Sequence, residues 1–181
     1  MPDTAYLKDI RRTFQNYKAL GDGALGQVAD ADLHRLVDSG SNSIAIIVQH
    51  LAGNLRSRFT DFLTTDGEKP SRDRDAEFEM REGVSREEML AWWETGWTIA
   101  LAAIAGLKPE DLERTVTIRG ESFLVVEALN RAATHAAYHV GQMVFLAKHF
   151  AGANWKTLSI PKRQSRQYAR GTFKQGIIPK L

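Results

Sequence analysis

The sequence predicts an all-α protein: a four-helix bundle with a short β-like excursion before the last long helix and an extended C-terminal tail. Three observations carry that prediction. Four long stretches place apolar residues at helical spacing, hardly any segment alternates with a two-residue period, and turn-forming or charge-dense segments separate the helical patterns. At 181 residues the chain suits one domain with a full core. The expected organisation is one helical-bundle domain over residues 1–150 and a basic tail over residues 151–181.

The first helical pattern runs from about Thr4 to Val28, with Tyr6, Ile10, Phe14, Tyr17 and Leu20 on one face. Within it, Gly21-Asp22-Gly23-Ala24-Leu25-Gly26 has the spacing of a dinucleotide-binding turn, but it follows a helix and lacks the strand–turn–helix setting that motif requires. A kink or weak point in the helix is expected there instead. The second helix starts at the capping cluster Ser41-Asn42-Ser43 and runs to about Thr64, burying Ile44, Ile47, Val48, Leu51, Leu55, Phe59 and Phe62. Thr65 to Val84 is polar, contains Pro70 and alternates charges at Arg72-Asp73-Arg74-Asp75, which reads as a long loop. Its Arg72, Arg74 and Arg81 are candidates for holding an anionic substrate group, with the loop acting as a lid.

The third helix opens with a capping box, Ser85-Arg86-Glu87-Glu88, carries Met89, Trp92, Trp93, Trp97, Leu101 and Ile104, and ends at Gly106. The tryptophans are expected to be core and interface residues. Thr115 to Ser122 alternates with strand period around a turn at Arg119-Gly120, and the fourth helix runs from about Phe123 to Phe150.

Composition narrows the chemistry. There are no cysteines, which removes disulfides, thiolate metal sites, iron–sulfur clusters and a cysteine nucleophile. Any metal must use His, carboxylate or water. The formal charge of +2 is unevenly spread: residues 151–181 hold seven Lys or Arg and no acid, leaving 17 basic and 22 acidic groups before them. Such a tail is expected to lie on the acidic body or on a partner subunit in a homodimer, with Trp155 and Tyr168 as anchors. Nucleic-acid binding is the weaker reading, because no basic module or regular aromatic stacking pattern accompanies the charge. Met1 to Asp9 holds no apolar leader, and the apolar run Trp97 to Leu107 falls short of the ~20 residues of a membrane span, so no membrane partner and a cytoplasmic location are expected.

The chemistry-bearing residues are histidines. His135 and His139 lie four apart inside the fourth helical pattern, so both imidazoles project from one face, on a stripe otherwise made of Ala128, Ala132, Met143 and Leu146. His50, in the apolar second helix, offers a third nitrogen if the two helices are neighbours. Three imidazoles would leave positions on a divalent cation open to water or substrate, the layout of a catalytic rather than a structural site. Gln142, one turn beyond His139, is a candidate catalytic residue that contacts water or orients an imidazole; Asn54, one turn after His50, has a similar standing. Tyr138 is expected to pack between helices. His34, in a polar connection, and His149, turned away from the pair on the helix, stay outside the site.

Taken together, His50-Leu51 and the later His135-x-x-Tyr138-His139-x-Gly141-Gln142 resemble the DinB/YfiT-like superfamily of metal-dependent enzymes, helical bundles named from DNA-damage-inducible proteins and unrelated to the polymerase of that name. The resemblance covers about residues 4–150, and its nearest counterpart is a bacterial subfamily with the stretches found here at Ser43 to Ile47 and Asp61 to Glu68. It implies metal ligation by His50, His135 and His139, with Zn²⁺ or Ni²⁺ as the ion. It also implies a hydrolase or a low-molecular-weight-thiol S-transferase acting on a small molecule. The alternative is a non-catalytic metal- or ligand-binding stress or structural protein. An open coordination position facing a cavity would favour catalysis over binding alone.

Overall fold

In the computed structural model, which describes residues 2–81, 83–164 and 166, the fold is mostly helical. Helix α1 spans Pro2–Leu25, α2 is the short Asp30–Leu33, α3 spans Ile44–Phe59, α4 Arg86–Gly106 and α5 Val125–Ala151. A hairpin of β1 (Thr115–Ile118) and β2 (Glu121–Leu124) precedes α5.

The helices start where the caps predict. Ser43 Oγ accepts the Ile46 N–H at 3.2 Å, and Ser85 Oγ accepts the Glu88 N–H at 3.1 Å. The second half of the predicted capping box does not form, because the Glu88 carboxylate pairs with Arg81 instead. Boundaries differ from expectation at the end of α1, which stops at Leu25 rather than Val28, at the end of α3 and at the start of α5. Helix α3 stops at Phe59 rather than Thr64: Thr60 is extended, and Asp61 (φ 48°) turns the chain, its carbonyl accepting the N–H groups of Thr64 and Thr65. That reversal lets the Gly67 carbonyl accept from Ser57 Oγ at 2.8 Å while the Gly67 N–H donates to the Thr117 carbonyl at 2.7 Å. Helix α5 begins at Val125 rather than Phe123, because Phe123 pairs with Val116 in the hairpin ladder.

The expected weak point in α1 falls at its end, where the helix stops at Leu25, inside the glycine motif and short of Val28. The helix is continuous through Gly21 and Gly23, and both glycines serve close packing: a Cβ on Gly21 would lie 2.3 Å from Trp93, and one on Gly23 2.6 Å from Leu158. Helix α3 packs along α4, α1 along α5, and α3 also meets α5. Gly96 of α4 permits the first contact, since a Cβ there would sit 2.9 Å from Ala52 Cα. Phe14, Val48, Leu51, Trp93, Trp97, Leu129 and Met143 are fully buried between these helices, and Phe14 meets Phe59 and Trp97 edge-on. Trp92 is partly buried against the same core.

Arg119 and Gly120 both have positive φ (57° and 77°), the conformation of a two-residue type I′ hairpin turn. The Asp66 carboxylate accepts both of their N–H groups at 2.9 Å and that of Glu68 at 2.7 Å. These bonds, the Glu68 one foremost, hold its carboxyl below the usual aspartate range. Asp66→Asn should therefore cost about 1–2 kcal/mol at neutral pH. Because the folded value is depressed, this contribution is present above about pH 4 and disappears as pH falls through the folded value. Urea midpoints of variant and wild type should differ at pH 7 and draw together as pH is lowered below about 4; a constant difference would contradict this role.

The described part of the tail packs on the helices. Leu158 is buried against Gly23, Trp155 is partly buried, and the Gln27 amide brackets Lys156, accepting its N–H at 2.6 Å and donating to its carbonyl at 3.1 Å. Tyr168, the second expected anchor, lies outside the described residues. Among the described residues no helix is long and apolar enough to cross a membrane.

Candidate metal centre

Helices α3 and α5 bring His50, His135 and His139 together, with one ring nitrogen from each within 4.8 Å of the others. His50 Nε2 lies 3.2 Å from His135 Nε2, and the three ring centroids are separated by 4.5–5.2 Å. His50 and His139 are buried and His135 is half-buried.

Hydrogen bonding at the far side of two rings sets where their lone pairs point. Glu77 Oε2 accepts from His50 Nδ1 at 2.8 Å, and a carboxylate can only accept, so the proton sits on Nδ1 and Nε2 is the nitrogen left to ligate a metal. Gln142 Oε1 accepts from His139 Nδ1 at 3.0 Å with the same result. Two lone pairs and the Nε2 of His135 thus converge. Burial pushes the His135 imidazole down to about 3, aided by His139 and His50, and burial beside His50 brings His139 down to about 4. Both rings are neutral at physiological pH, the form that ligates metal. His135 Nδ1 is buried without a hydrogen-bond partner among the described residues.

Glu77 arrives from the 65–84 segment. A single 3-10 turn, Ala76–Phe78, lies against α3, where Gln49 Nε2 donates to the carbonyls of Ala76, Glu77 and Glu79 at 3.0–3.2 Å. Phe78 packs on the His50 ring at 4.5 Å between centroids. Gly53 makes the space: a Cβ there would lie 2.2 Å from Glu77 Oε1. Arg72 grips the carboxylate with two bonds of 2.7 Å. Burial raises the Glu77 carboxyl, but Arg72 and His50 more than offset it and hold it below the usual range.

The imidazoles open onto a pocket of about 780 Å³ lined also by Asn54, Phe59, Phe62, Phe78, Val116 and Ile118. The family described as protein of unknown function (DUF1572) matches residues 2–164. The chain belongs to the DUF1572 family. No curated protein matches it.

Within this DUF1572 chain the expected residues divide. His50, His135 and His139 meet, and Asn54 lines the pocket. Gln142 Oε1 accepts from His139 Nδ1 and lines a neighbouring pocket beside Tyr138 instead of the main one. Tyr138 is 59% exposed at the pocket rim instead of packed between helices, since among the described residues no helix covers that side of α5. His34 and His149 are exposed and outside the group. Of the loop arginines, Arg72 and Arg74 line the pocket, whereas Arg81 is 68% exposed, pairs with Glu88 and does not. Glu77, Gln49, Gly53 and Phe78 had no signal of their own in the sequence: each becomes meaningful only once the loop folds back on α3.

Proposed function

We propose that this protein is a metal-dependent enzyme with the four-helix bundle of the DinB/YfiT-like superfamily, its Zn²⁺ or Ni²⁺ held by His50, His135 and His139. The observation that carries the reading is the convergence of three imidazole nitrogens within 4.8 Å at the wall of an open pocket. A divalent cation there supplies Lewis-acid chemistry that favours deprotonation of a nucleophile near neutral pH and polarises its acceptor.

The pocket also supports thiol transfer over hydrolysis. Among the described residues lining it there is no Asp or Glu, and Glu77 is committed to His50 and Arg72. No carboxylate stands ready as a general base for water. A thiol, with an unperturbed pKa of about 8.5, needs less help to ionise, so a low-molecular-weight-thiol S-transferase is the preferred reaction. Phe59, Phe62 and Phe78 exclude water from the nucleophile, and Glu77 and Gln142 fix two of the three rings. In this reading the enzyme works in the cytoplasm as a homodimer, which sedimentation equilibrium tests by returning the mass of two chains.

The functional test is a screen of the zinc- and nickel-loaded protein against electrophiles with several small thiols, beside ester and amide substrates in water. Thiol-dependent product lost in His139→Ala supports the transferase, whereas thiol-independent hydrolysis lost in the same variant selects the hydrolase. Metal uptake with no turnover in either arm would leave the protein as a metal-binding helical bundle.

A further inference from the structure

The pocket wall carries more positive charge than a cation site requires. Arg58, Arg72, Arg74, Arg119 and Arg131 all line it. Three of them share one carboxylate: Glu68 Oε2 accepts from Arg58 Nη1 at 2.9 Å and from Arg119 Nε at 3.0 Å, and Arg72 Nη1 lies 3.3 Å from both Glu68 oxygens. Glu77 serves only Arg72 among these arginines. Two carboxylates therefore answer three guanidiniums. Among the described residues the one carboxylate paired with Arg74 is the highly exposed Asp75 at 3.6 Å, a pair that solvent largely screens, and its guanidinium also stands 5.1 Å from the Phe78 ring centroid. Among the described residues no carboxylate pairs with Arg131, whose guanidinium stands over the Phe123 ring at 5.8 Å.

A surplus of guanidinium charge beside three imidazoles favours an anion in the pocket. Guanidinium forks match carboxylate and phosphate oxygens. The intervening surface is apolar, formed by Phe59, Phe62, Phe78, Val116 and Ile118, and pockets that combine apolar walls with a few fixed charges orient amphiphilic small molecules.

We propose that the pocket binds an organic anion, a molecule with a carboxylate- or phosphate-type group on an apolar body, and that Arg74 and Arg131 supply its charged contacts. This deepens the metal-dependent reading and rests on it for the chemistry, while the binding itself needs no metal.

Isothermal titration of the full chain, chelator-treated and zinc-loaded, with phenyl phosphate, benzyl alcohol and inorganic phosphate tests it. Phenyl phosphate should bind the chelated protein at least tenfold tighter than either of the others. The double variant Arg74→Gln/Arg131→Gln should weaken phenyl phosphate at least tenfold and leave benzyl alcohol binding and zinc content unchanged. Both side chains are exposed enough for circular dichroism to confirm an intact fold, and Arg81→Gln, outside the pocket, should change nothing. Equal binding of phenyl phosphate and benzyl alcohol, or an unaffected double variant, overturns the proposal. Binding that requires zinc and ignores the arginines assigns the anion to the metal, overturning the proposal and sparing the metal site. Arginine-dependent binding in a protein that takes up no zinc upholds the proposal and removes the metal reading.

Discussion

Replacing Glu77 by Ala should destabilise the protein and loosen its metal together. The Arg72 side chain is only 5% exposed, and without Glu77 it keeps just the 3.3 Å contacts to Glu68. Stranding a buried charge costs about 3–5 kcal/mol, and the remaining pairing with Glu68 places the expected loss near the lower end. His50 also loses the acceptor on Nδ1 that fixes its tautomer, and removing such an outer partner lowers metal affinity by about 10- to 100-fold. Glu77→Gln separates the two effects. Its amide oxygen can still accept from His50, so most affinity should survive while Arg72 remains uncompensated and stability falls. Gly53→Ala probes the same contact from the other side, because a Cβ 2.2 Å from Oε1 displaces the carboxylate without removing charge. Urea unfolding and zinc titration of the three variants measure both quantities. Unchanged zinc affinity in Glu77→Ala would contradict the positioning role.

Without metal, the protein should be unusually sensitive to mild acid. His135 and His139 are held at about 3 and about 4 in the folded state, burial being the larger cause in each, followed by neighbouring histidines. An unfolded histidine titrates near 6.5. The unfolded chain therefore binds more protons between these values: the stability is fully present above about pH 6.5 and drains away as pH falls through the folded values. Each imidazole contributes a slope of up to about 1.4 kcal/mol per pH unit inside its window. Urea midpoints of chelated protein at pH 7, 5.5 and 4.5 should fall steeply, and His135→Gln/His139→Gln should flatten the decline. A double variant as acid-sensitive as wild type would show that other groups control it.

Much of this architecture was readable from periodicity because the long helices bury one-sided stripes, and their starts at Ser43 and Ser85 carry side-chain caps. The hairpin was readable because alternating residues flank Gly120, which suits positive φ, whereas the positive φ of Arg119 is held by the Asp66 carboxylate. The end of α3 was not. Phe62 keeps the helical apolar spacing, yet tertiary bonds from Gly67 to Ser57 and Thr117 require the chain to reverse at Asp61. The glycines of α1 were misleading for a related reason: locally they weaken a helix, but here they admit Trp93 and Leu158. At the site, the i, i+4 pair and the lone His50 were legible as residue types on helix faces. Glu77 and Gln49 were not, since their meaning depends on a 27-residue return from His50 to the loop. Arg81 shares the composition of Arg72 and Arg74, and only the path of the loop separates it from them.

The most direct measurement is metal content after dialysis against zinc and nickel for wild type, His50→Ala, His135→Ala and His139→Ala, with circular dichroism confirming each fold. About one tightly held ion per wild-type chain is expected where three imidazoles meet, with a sharp loss in every variant. Near-stoichiometric metal in all three variants, or none in wild type, would contradict that expectation.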